Sequence, residues 1–268
     1  MTVRIEEAGE VWTIVHDRPE ARGAMDPPSA EALFEAVLAF EASGARVAVL
    51  TGAGGHFCSG WDLKYAASLT GAAEREAVFS DLALPLGSAP APRGAIGPTR
   101  VEATKPVIAA VEGAAVAGGM ELALWADCRV MGQGAYMGVY CRRWGIPLVD
   151  GGAVRLPRLV GQGRALEIAM TGRKVPAEEC LAIGLCERVV PDGEARGAAE
   201  QMAREIARFP AAAMLADRRT IIESRGMSVR DGLRLEWANG MEALRRDAVS
   251  GAQRFAGGKG RHGDFGEI

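Results

Sequence analysis

The feature that most constrains the fold of this chain is a long run of small and apolar residues, KPVIAAVEGAAVAGGMELALWAD, at 105–127. Its β-branched beginning predicts a buried strand over 106–113, and the glycine pair that follows predicts the start of a helix over 118–125. Glu121 then falls in the first turn of that helix, between two apolar neighbours. Because a buried carboxylate is costly unless it is hydrogen-bonded or paired, Glu121 is interpreted either as a capping residue or as an acid that the chemistry of the protein requires.

Strand-like and helix-like segments alternate along most of the chain. The runs at 11–16 and 46–52 have the pattern of strands, and Asp26 with Pro27 marks the start of a helix. This alternation predicts an α/β fold. A further strand is expected at 128–132, and further helices are expected near 61–69, 73–83, 160–171, 176–182 and 194–208.

The chain changes character near residue 195. The part before it, 1–195, contains every predicted strand, whereas 196–268 is helical with arginine- and glutamate-rich faces. We therefore expect a core domain followed by a helical region that packs on the core or on another subunit. The proline- and glycine-rich stretch 84–104 has no periodicity, and it is predicted to be a long functional loop of the core rather than a linker.

Composition and charge exclude several classes of protein. The net charge is −3 and no basic stripe occurs, so electrostatics give no reason to expect a nucleic-acid partner. No uninterrupted apolar stretch reaches the roughly 18 residues of a membrane span, and the N-terminal segment is too polar for a secretory signal. The five cysteines form no CxxC pair and the three histidines are dispersed, which favours reduced thiols in a cytoplasmic protein without a metal site.

A second strand-to-helix turn, TGAGGHFCSGWDLK at 51–64, has the same layout as the first. Glycines allow unusual backbone angles there, and unpaired N–H groups at the start of a helix can bind an anion or a developing oxyanion. By itself the segment is also compatible with an ordinary connection in which Asp62 is a first-turn charge. Together, the two turns can direct the amides of Trp61 and Gly118 at one carbonyl oxygen, which is the arrangement of an oxyanion hole.

Five segments of the sequence resemble the crotonase, or enoyl-CoA hydratase/isomerase, superfamily, in the order in which that family carries them. The resemblance implies a spiral of repeated ββα units, with a C-terminal helical region (196–268) for trimerisation and active-site capping, in a homotrimer or a dimer of trimers. It also implies an acyl-CoA thioester substrate and no metal or redox cofactor, coenzyme A being part of the substrate. The segments are DRPEARGAM (17–25), HFCSGWDLK (56–64), KPVIAAVEGAAVAGGMELALWADCRV (105–130), DGGAVRLPRLVGQGRALEIAMTGR (150–173) and AEECLAIGLCERVV (177–190).

The same resemblance implies roles for individual residues. Trp61 and Gly118 match the two amides that hold the oxygen of a thioester enolate, and Glu121 falls on a catalytic glutamate of the family. Coenzyme A is expected to be bound by a loop that follows the first strand and by the turn around Trp61, partly through backbone atoms. The residues expected to contact it are Arg22, Ala24, Ser59, Gly60, Asp62 and Lys64.

The sequence departs from the pattern of hydratases that use two glutamates. The position of the second glutamate, counted back from the Gly151–Gly152 pair, is occupied by Cys141. A thiol with an ordinary pKa of about 8.5 is mostly neutral near pH 7, so it does not readily replace a carboxylate. Asp150 is the candidate substitute, and it is interpreted either as the catalytic partner of Glu121 or as a solvated turn residue.

Two reactions stay open within this family: water addition to a 2-enoyl-CoA and double-bond isomerisation of an enoyl-CoA. The absent second glutamate favours isomerisation or a specialised reaction. Glu121 keeps hydration open, because one carboxylate can in principle handle both the water and the proton. The alternative from another class is a CoA-thioester-binding protein with lost or specialised activity, and the retained Glu121 argues against it.

Overall fold

The computed structural model describes residues 2–87 and 91–260 of the 268-residue chain. Within these ranges the chain forms two compact units, the first ending at Ala203 and the second beginning at Arg204. The change of unit falls inside the helix Ala195–Ala207, whereas the sequence placed it at 195. The roles predicted for the region 196–268, trimerisation and capping of the active site, stay predictions.

A six-stranded sheet forms the centre of the first unit. Its inner strands are buried along almost their whole length, as is usual for parallel strands, and they coincide with the apolar runs that predicted them. An N-terminal strand that was not predicted adds to one edge in antiparallel orientation, with mostly exposed side chains. In spatial order the strands are β1 (Val3–Ala8), β2 (Val11–His16), β4 (Val47–Gly52), β6 (Val107–Val111), β8 (Cys128–Gly132) and β11 (Arg188–Val190), and the neighbours from β2 onward are parallel.

Five short strands form two smaller sheets. A parallel bridge pairs Cys58, which lies just before a strand of the first sheet, with Ala115 in the second sheet. This pairing brings the strand-to-helix turns of 51–64 and 105–127 close together. One sheet consists of β3 (Ala24–Met25) and β5 (Gly60–Trp61), and the other consists of β7 (Ala114–Val116), β9 (Tyr136–Gly138) and β10 (Val175–Pro176).

Three consecutive segments repeat the same order of elements, two strands and then a helix. β2 and β3 lead to α1 (Pro27–Ala42), β4 and β5 lead to α2 (Leu63–Ser68), and β6 and β7 lead to α4 (Gly118–Trp125). The first strand of each segment joins the six-stranded sheet beside its predecessor, and the second strand belongs to a smaller sheet. The expected α/β spiral of ββα units is confirmed.

Helix α1 shows why these segments become helices. The carboxylate of Asp26 caps it by accepting the backbone N–H of Ser29 at 3.0 Å, and Leu33, Val37 and Phe40 are buried on one face. The chain also contains α3 (Ala72–Asp81), α5 (Gly152–Val160), α6 (Gln162–Thr171), α7 (Ala177–Ala182) and α8 (Ala195–Ala207), then α9 (Ala211–Glu223), α10 (Val229–Ala243), a π-helical segment (Leu244–Ala248) and α11 (Val249–Ala256), together with 3₁₀ turns at Pro19–Ala21, Pro98–Arg100 and Tyr140–Trp144.

The structure differs from the sequence-based expectations at helix α5 and in the stretch 84–104. Helix α5 was not predicted: its sequence contains Pro157 and is flanked by Gly151 and Gly161, residue types that usually interrupt helices. In the structure these two glycines have positive φ values of 95° and 79°. Within the stretch 84–104, residues 94–99 are buried, the last two of them in the 3₁₀ turn Pro98–Arg100. This part of the stretch belongs to the core and carries residues of the site described next.

Candidate active site

The turn between β5 and α2 lies at the wall of a cavity. The N–H of Asp62 donates to the carbonyl oxygen of Met25 in β3 at 2.8 Å. Because successive amides of a strand point to opposite edges, the N–H of Trp61 points away from β3. Trp61 lines the cavity, and the carboxylate of Asp62 fixes the turn by capping α2.

A second amide comes from the N-terminus of α4. Gly118 is the first residue of that helix, so its N–H has no acceptor within the helix. Ala117 before it has a φ of 54°, which residues other than glycine seldom adopt. A Cβ built on Gly60 would lie 2.9 Å from the nitrogen of Gly118, so the two turns touch each other. The residues that carry the two amides, Trp61 and Gly118, line the same cavity.

Glu121 is one turn into α4 and only 3% exposed. Its Oε1 accepts the backbone N–H groups of Asp150 and Gly152, each at 2.9 Å. Burial raises the pKa of Glu121 to about 7; the charge of Asp150 adds to this shift, while the two backbone hydrogen bonds oppose it. A carboxyl with such a pKa can both hold and release a proton near neutral pH, as general acid–base catalysis requires.

Asp150 lies at the start of α5 and is 2% exposed, so it is not a solvated turn residue. Its Oδ1 accepts the hydroxyl of Thr99 at 2.7 Å, and Nε of Arg100 lies 4.0 Å from the same oxygen. Its Oδ2 is buried and has no hydrogen-bond partner among the described residues. Burial raises the pKa of Asp150, and the hydroxyl and the guanidinium oppose that shift. The structure thus brings the two predicted carboxyls, those of Glu121 and Asp150, together in one cavity.

Cys141 lines the cavity in which both carboxyls lie. It is buried in the 3₁₀ turn Tyr140–Trp144. Burial raises the pKa of its thiol, and the charge of Glu121 raises it further. A thiol that is neutral near pH 7 is neither an activated nucleophile nor a substitute for a carboxylate.

The cavity has a volume of about 760 Å³, within the rough range of 300–1,000 Å³ of small-molecule sites. Its charged lining residues are the two carboxyls together with Arg75 and Arg100, and most of the remaining wall is apolar. The larger apolar side chains on the wall include Trp61, Leu63, Phe79, Leu82, Ile96 and Trp144.

Three of the residues predicted to contact coenzyme A, Ser59, Gly60 and Lys64, lie in or next to β5 and the start of α2. Ser59 lines the cavity and its hydroxyl donates to the carbonyl oxygen of Ala21 at 3.3 Å. Gly60 has a φ of 90°, and Lys64 is exposed in the first turn of α2. Their contacts with coenzyme A stay predictions.

The other three predicted residues are Arg22, Ala24 and Asp62. Arg22 is exposed and has a left-handed φ of 52°. Ala24 is buried, and its carbonyl oxygen accepts Nη1 of Arg18 at 2.7 Å. The carboxylate of Asp62 accepts the N–H groups that cap α2 and pairs with Arg18 at 3.1 Å, so this side chain stabilises the turn. The contacts of these three residues with coenzyme A stay predictions.

Sequence reasoning missed three residues that shape the site. Arg18 bridges Asp26 and Asp62, the capping residues of α1 and α2, and it lies in the quoted segment DRPEARGAM without having been singled out. Thr99 and Arg100 lie in the aperiodic stretch 84–104, where no pattern pointed to them. Only the fold brings them to Asp150.

Metal-binding and membrane-spanning features are absent from the parts of the chain that the structure describes. Within 2–87 and 91–260, no group of three or more His, Cys, Asp or Glu side chains is arranged to hold a metal ion. Over the same ranges, no helix is both long enough and apolar enough to cross a membrane.

Solved structures share this fold over nearly the whole chain. An enoyl-CoA hydratase EchA1 from Mycobacterium marinum superposes with a TM-score of 0.82 at 32% identity, covering 95% of each chain. An enoyl-CoA hydratase from Bacillus anthracis gives a TM-score of 0.84 at 30% identity, covering 96% of each chain.

Sequence comparisons agree with the structural ones. The family model described as enoyl-CoA hydratase/isomerase matches residues 6–221. The enoyl-CoA hydratase EchA19 of Mycobacterium tuberculosis is 33% identical over 261 residues, covering 94% of this chain and 92% of the relative. A carnitinyl-CoA dehydratase from Salmonella arizonae is 37% identical over 236 residues, covering 87% and 85%. From the family model, the relatives and the shared fold together, we conclude that this chain belongs to the enoyl-CoA hydratase/isomerase family, the crotonase superfamily, and is an enzyme of that type.

Proposed function

We propose that this enzyme adds water reversibly to the double bond of a 2-enoyl-CoA. The observation that supports this most directly is the pair of buried carboxyls, Glu121 and Asp150, in one cavity with the turns of Trp61 and Gly118. Hydration needs one group to take a proton from water and another to deliver a proton to carbon, and two carboxyls can divide these tasks.

In the proposed reaction, the N–H groups of Trp61 and Gly118 donate to the thioester oxygen. They stabilise the negative charge that develops there, by roughly 3 kcal/mol for each donor. The oxygen of water bonds to C3 of the acyl group, and one carboxylate accepts the proton that this water loses. The other carboxyl delivers its proton to C2, so the elements of one water molecule are added. Proton exchange then resets the pair.

The same two strand-to-helix turns also supply most of the residues that we propose bind the thioester. We propose that coenzyme A is held by Arg22, Ala24, Ser59, Gly60, Asp62 and Lys64, partly through their backbone atoms, and that no metal or redox cofactor takes part. The acyl group extends into the apolar part of the cavity. We further expect a homotrimer or a dimer of trimers in the cytoplasm, with the C-terminal helices capping the active site.

Labelled water distinguishes the candidate reactions. A panel of 2-enoyl- and 3-enoyl-CoA thioesters is incubated with the enzyme in H₂¹⁸O and, separately, in D₂O, and the products are analysed by mass spectrometry. Hydration predicts one ¹⁸O atom in the product and deuterium at C2. A product without ¹⁸O, or inertness of every 2-enoyl-CoA, would overturn the proposal.

Double-bond isomerisation is the second candidate, and the presence of Cys141 in place of a second glutamate favours it. In that reaction a carboxylate removes a proton from C2 of a 3-enoyl-CoA and a proton is returned at C4, with no oxygen transferred. Deuterium exchange without ¹⁸O uptake would identify it. A protein that only binds CoA thioesters would show tight binding of a saturated acyl-CoA and no turnover of any enoyl-CoA.

A further inference from the structure

Arg100 places a fixed cation beside one of the two carboxyls. Its Nη1 donates to the carbonyl oxygens of Leu82 at 2.9 Å and Arg93 at 3.3 Å, which anchors the guanidinium. Its Nε lies 4.0 Å from Oδ1 of Asp150, and the side chain is 11% exposed. The Nε–H is buried and has no hydrogen-bond partner among the described residues. Such a guanidinium acts on Asp150 chiefly through its charge.

The surroundings of the two carboxyls differ in kind. Glu121 is held by two backbone N–H groups, and its main charged neighbour is the like-charged Asp150. Asp150 has the hydroxyl of Thr99 and the cation of Arg100, and the backbone of Ala95 and Ile96 adds a smaller effect of the same sign. In a poorly solvated cavity, an opposite charge about 4 Å away favours the ionised form of a carboxyl far more than it would in water. The pair is therefore asymmetric.

We propose that Arg100 is a positioning residue that keeps Asp150 ionised, so that Asp150 takes the proton from water while Glu121 holds the proton that goes to C2. This assignment rests on the proposed hydration, and it specifies which carboxyl is the base and which is the acid. Pairs of titratable groups whose surroundings separate their proton affinities commonly divide acid and base roles in this way.

Other charged or titratable groups also face Asp150 and contribute to its titration. Glu121 on α4 repels its charge, and Cys141 in the 3₁₀ turn lies beside Glu121 and stays neutral. Arg155 on α5 donates to the backbone carbonyl oxygens of Asp150 and Thr99, at 3.0 and 2.7 Å. Arg155 thus holds the backbone of both segments, whereas Arg100 brings its Nε to 4.0 Å from Oδ1 of the Asp150 carboxylate.

The test compares Arg100→Met, which removes the charge but keeps an apolar stem, with Arg100→Lys, which keeps the charge and changes the anchoring. The pH dependence of kcat is measured for both and for the wild type. We expect the acidic limb to move up by about one pH unit or more in Arg100→Met. In Arg100→Lys the limb stays near the wild-type position. Equal shifts in both variants, or none in Arg100→Met, would overturn the proposal.

A second measurement does not depend on turnover. The carboxyl carbons of aspartate are labelled with ¹³C, the Asp150 signal is assigned by its loss in Asp150→Asn, and the signal is titrated by NMR. The proposal predicts a titration midpoint that is higher in Arg100→Met than in the wild type, with Arg100→Lys close to the wild type. If the enzyme hydrates no enoyl-CoA but the midpoint shifts, the proposed function fails while the charge effect of Arg100 stands. An unchanged midpoint overturns the role of Arg100 even in an active hydratase.

Discussion

At the scale of single residues, one oxygen atom links the two halves of the site. Oε1 of Glu121 accepts the N–H groups of Asp150 and Gly152, so the residue on α4 fixes the start of α5 and is oriented by it. The bonds favour the ionised form of Glu121, and burial favours the neutral form. Burial outweighs the bonds and raises the pKa of Glu121 to about 7, near the pH at which a proton-transfer group works best.

Replacing Glu121 by Gln keeps the shape of the side chain but removes its proton chemistry. We expect kcat for 2-enoyl-CoA hydration to fall by at least about 100-fold, with a much smaller change in KM, because general acid–base catalysis typically contributes that much. Steady-state kinetics with a short 2-enoyl-CoA measure this. Cys141→Ala, on the same cavity wall, is the matched control and should stay close to the wild type. Near-normal turnover by Glu121→Gln would exclude its catalytic role.

Replacing Asp150 by Asn tests the second carboxyl. The amide can still accept the Thr99 hydroxyl but cannot take a proton from water, so we expect turnover to be lost while the protein folds normally. Activity and circular dichroism are measured on the same preparation. If this variant hydrates at the wild-type rate, Glu121 works without Asp150.

His16 makes the stability of the fold depend on pH. It is 1% exposed at the end of β2, and neither ring nitrogen has a hydrogen-bond partner among the described residues. Burial, with a smaller contribution from Arg18, lowers its pKa from the ordinary 6.5 to about 4. The folded state therefore keeps the ring neutral, while the unfolded chain takes up a proton below pH 6.5. The stabilisation is complete above that pH and is lost progressively as the pH falls toward 4.

From this linkage we expect the free energy of unfolding to decrease by about 2 kcal/mol between pH 7 and pH 5 on account of His16. Urea titrations of the wild type and of His16→Leu at both pH values measure the difference. The variant should have a flatter pH dependence across this window. Parallel curves for the two proteins would show that His16 does not titrate as described.

At the scale of elements, the contact between α4 and α5 requires a glycine. A Cβ built on Gly152 would lie 2.8 Å from Cγ of Glu121 and 3.1 Å from its Oε1. Helix α5 can approach the acid, and donate an N–H to it, only because this position has no side chain. The same close approach holds where Gly60 meets the first turn of α4.

Gly152→Ala is expected to displace the carboxylate of Glu121 and to cost about 1–3 kcal/mol of stability, since overpacking in a filled interior is destabilising. The hydratase activity should fall with it. Gly163→Ala is the matched control, because Gly163 lies in α6 and a Cβ there meets no atom within 4 Å. Thermal unfolding and kcat of both variants are compared. Equal thermal stability and equal kcat in the two variants would mean that the α4–α5 contact accommodates a Cβ at position 152 without cost.

The elements that the sequence predicted are those with a local signal. The glycine pair before Met120 marked the start of α4, and the capping signal of Asp26 marked that of α1. Strands of two or three residues, such as Ala24–Met25, are too short to show a period, and they form only because their partners are brought to them. Thr99 and Arg100 were missed for a related reason: their importance comes from their distance to Asp150, which the sequence pattern does not encode.

At the scale of the whole molecule, the second unit carries large apolar side chains on its surface. Trp237 on α10 is 66% exposed and lines, with Leu233, Leu244 and residues of α9, an apolar groove of about 420 Å³. Exposed apolar surface of this kind commonly marks a contact with another chain. It is consistent with the predicted trimerisation through the region 196–268.

We therefore expect light scattering after size exclusion to give a mass of three or six times the 28.2 kDa chain. Trp237→Glu should shift the population toward smaller species, because a charge would have to be buried in the contact. Gln162→Glu, an exposed position at the start of α6 and outside the region 196–268, controls for added charge. A monomer in the wild type, or an unchanged mass in Trp237→Glu, would contradict the prediction.

The ββα repeat determines the distance between the backbone amides of Trp61 and Gly118. Trp61 ends the second strand of one repeat, and Gly118 begins the helix of the next, so their separation is set by the step from one repeat to its successor. Any change in the pitch of the spiral, even one introduced in the central sheet, alters the spacing of the two amides. If the two amides bind one thioester oxygen as proposed, the rise of the spiral from one repeat to the next sets the geometry of that binding site.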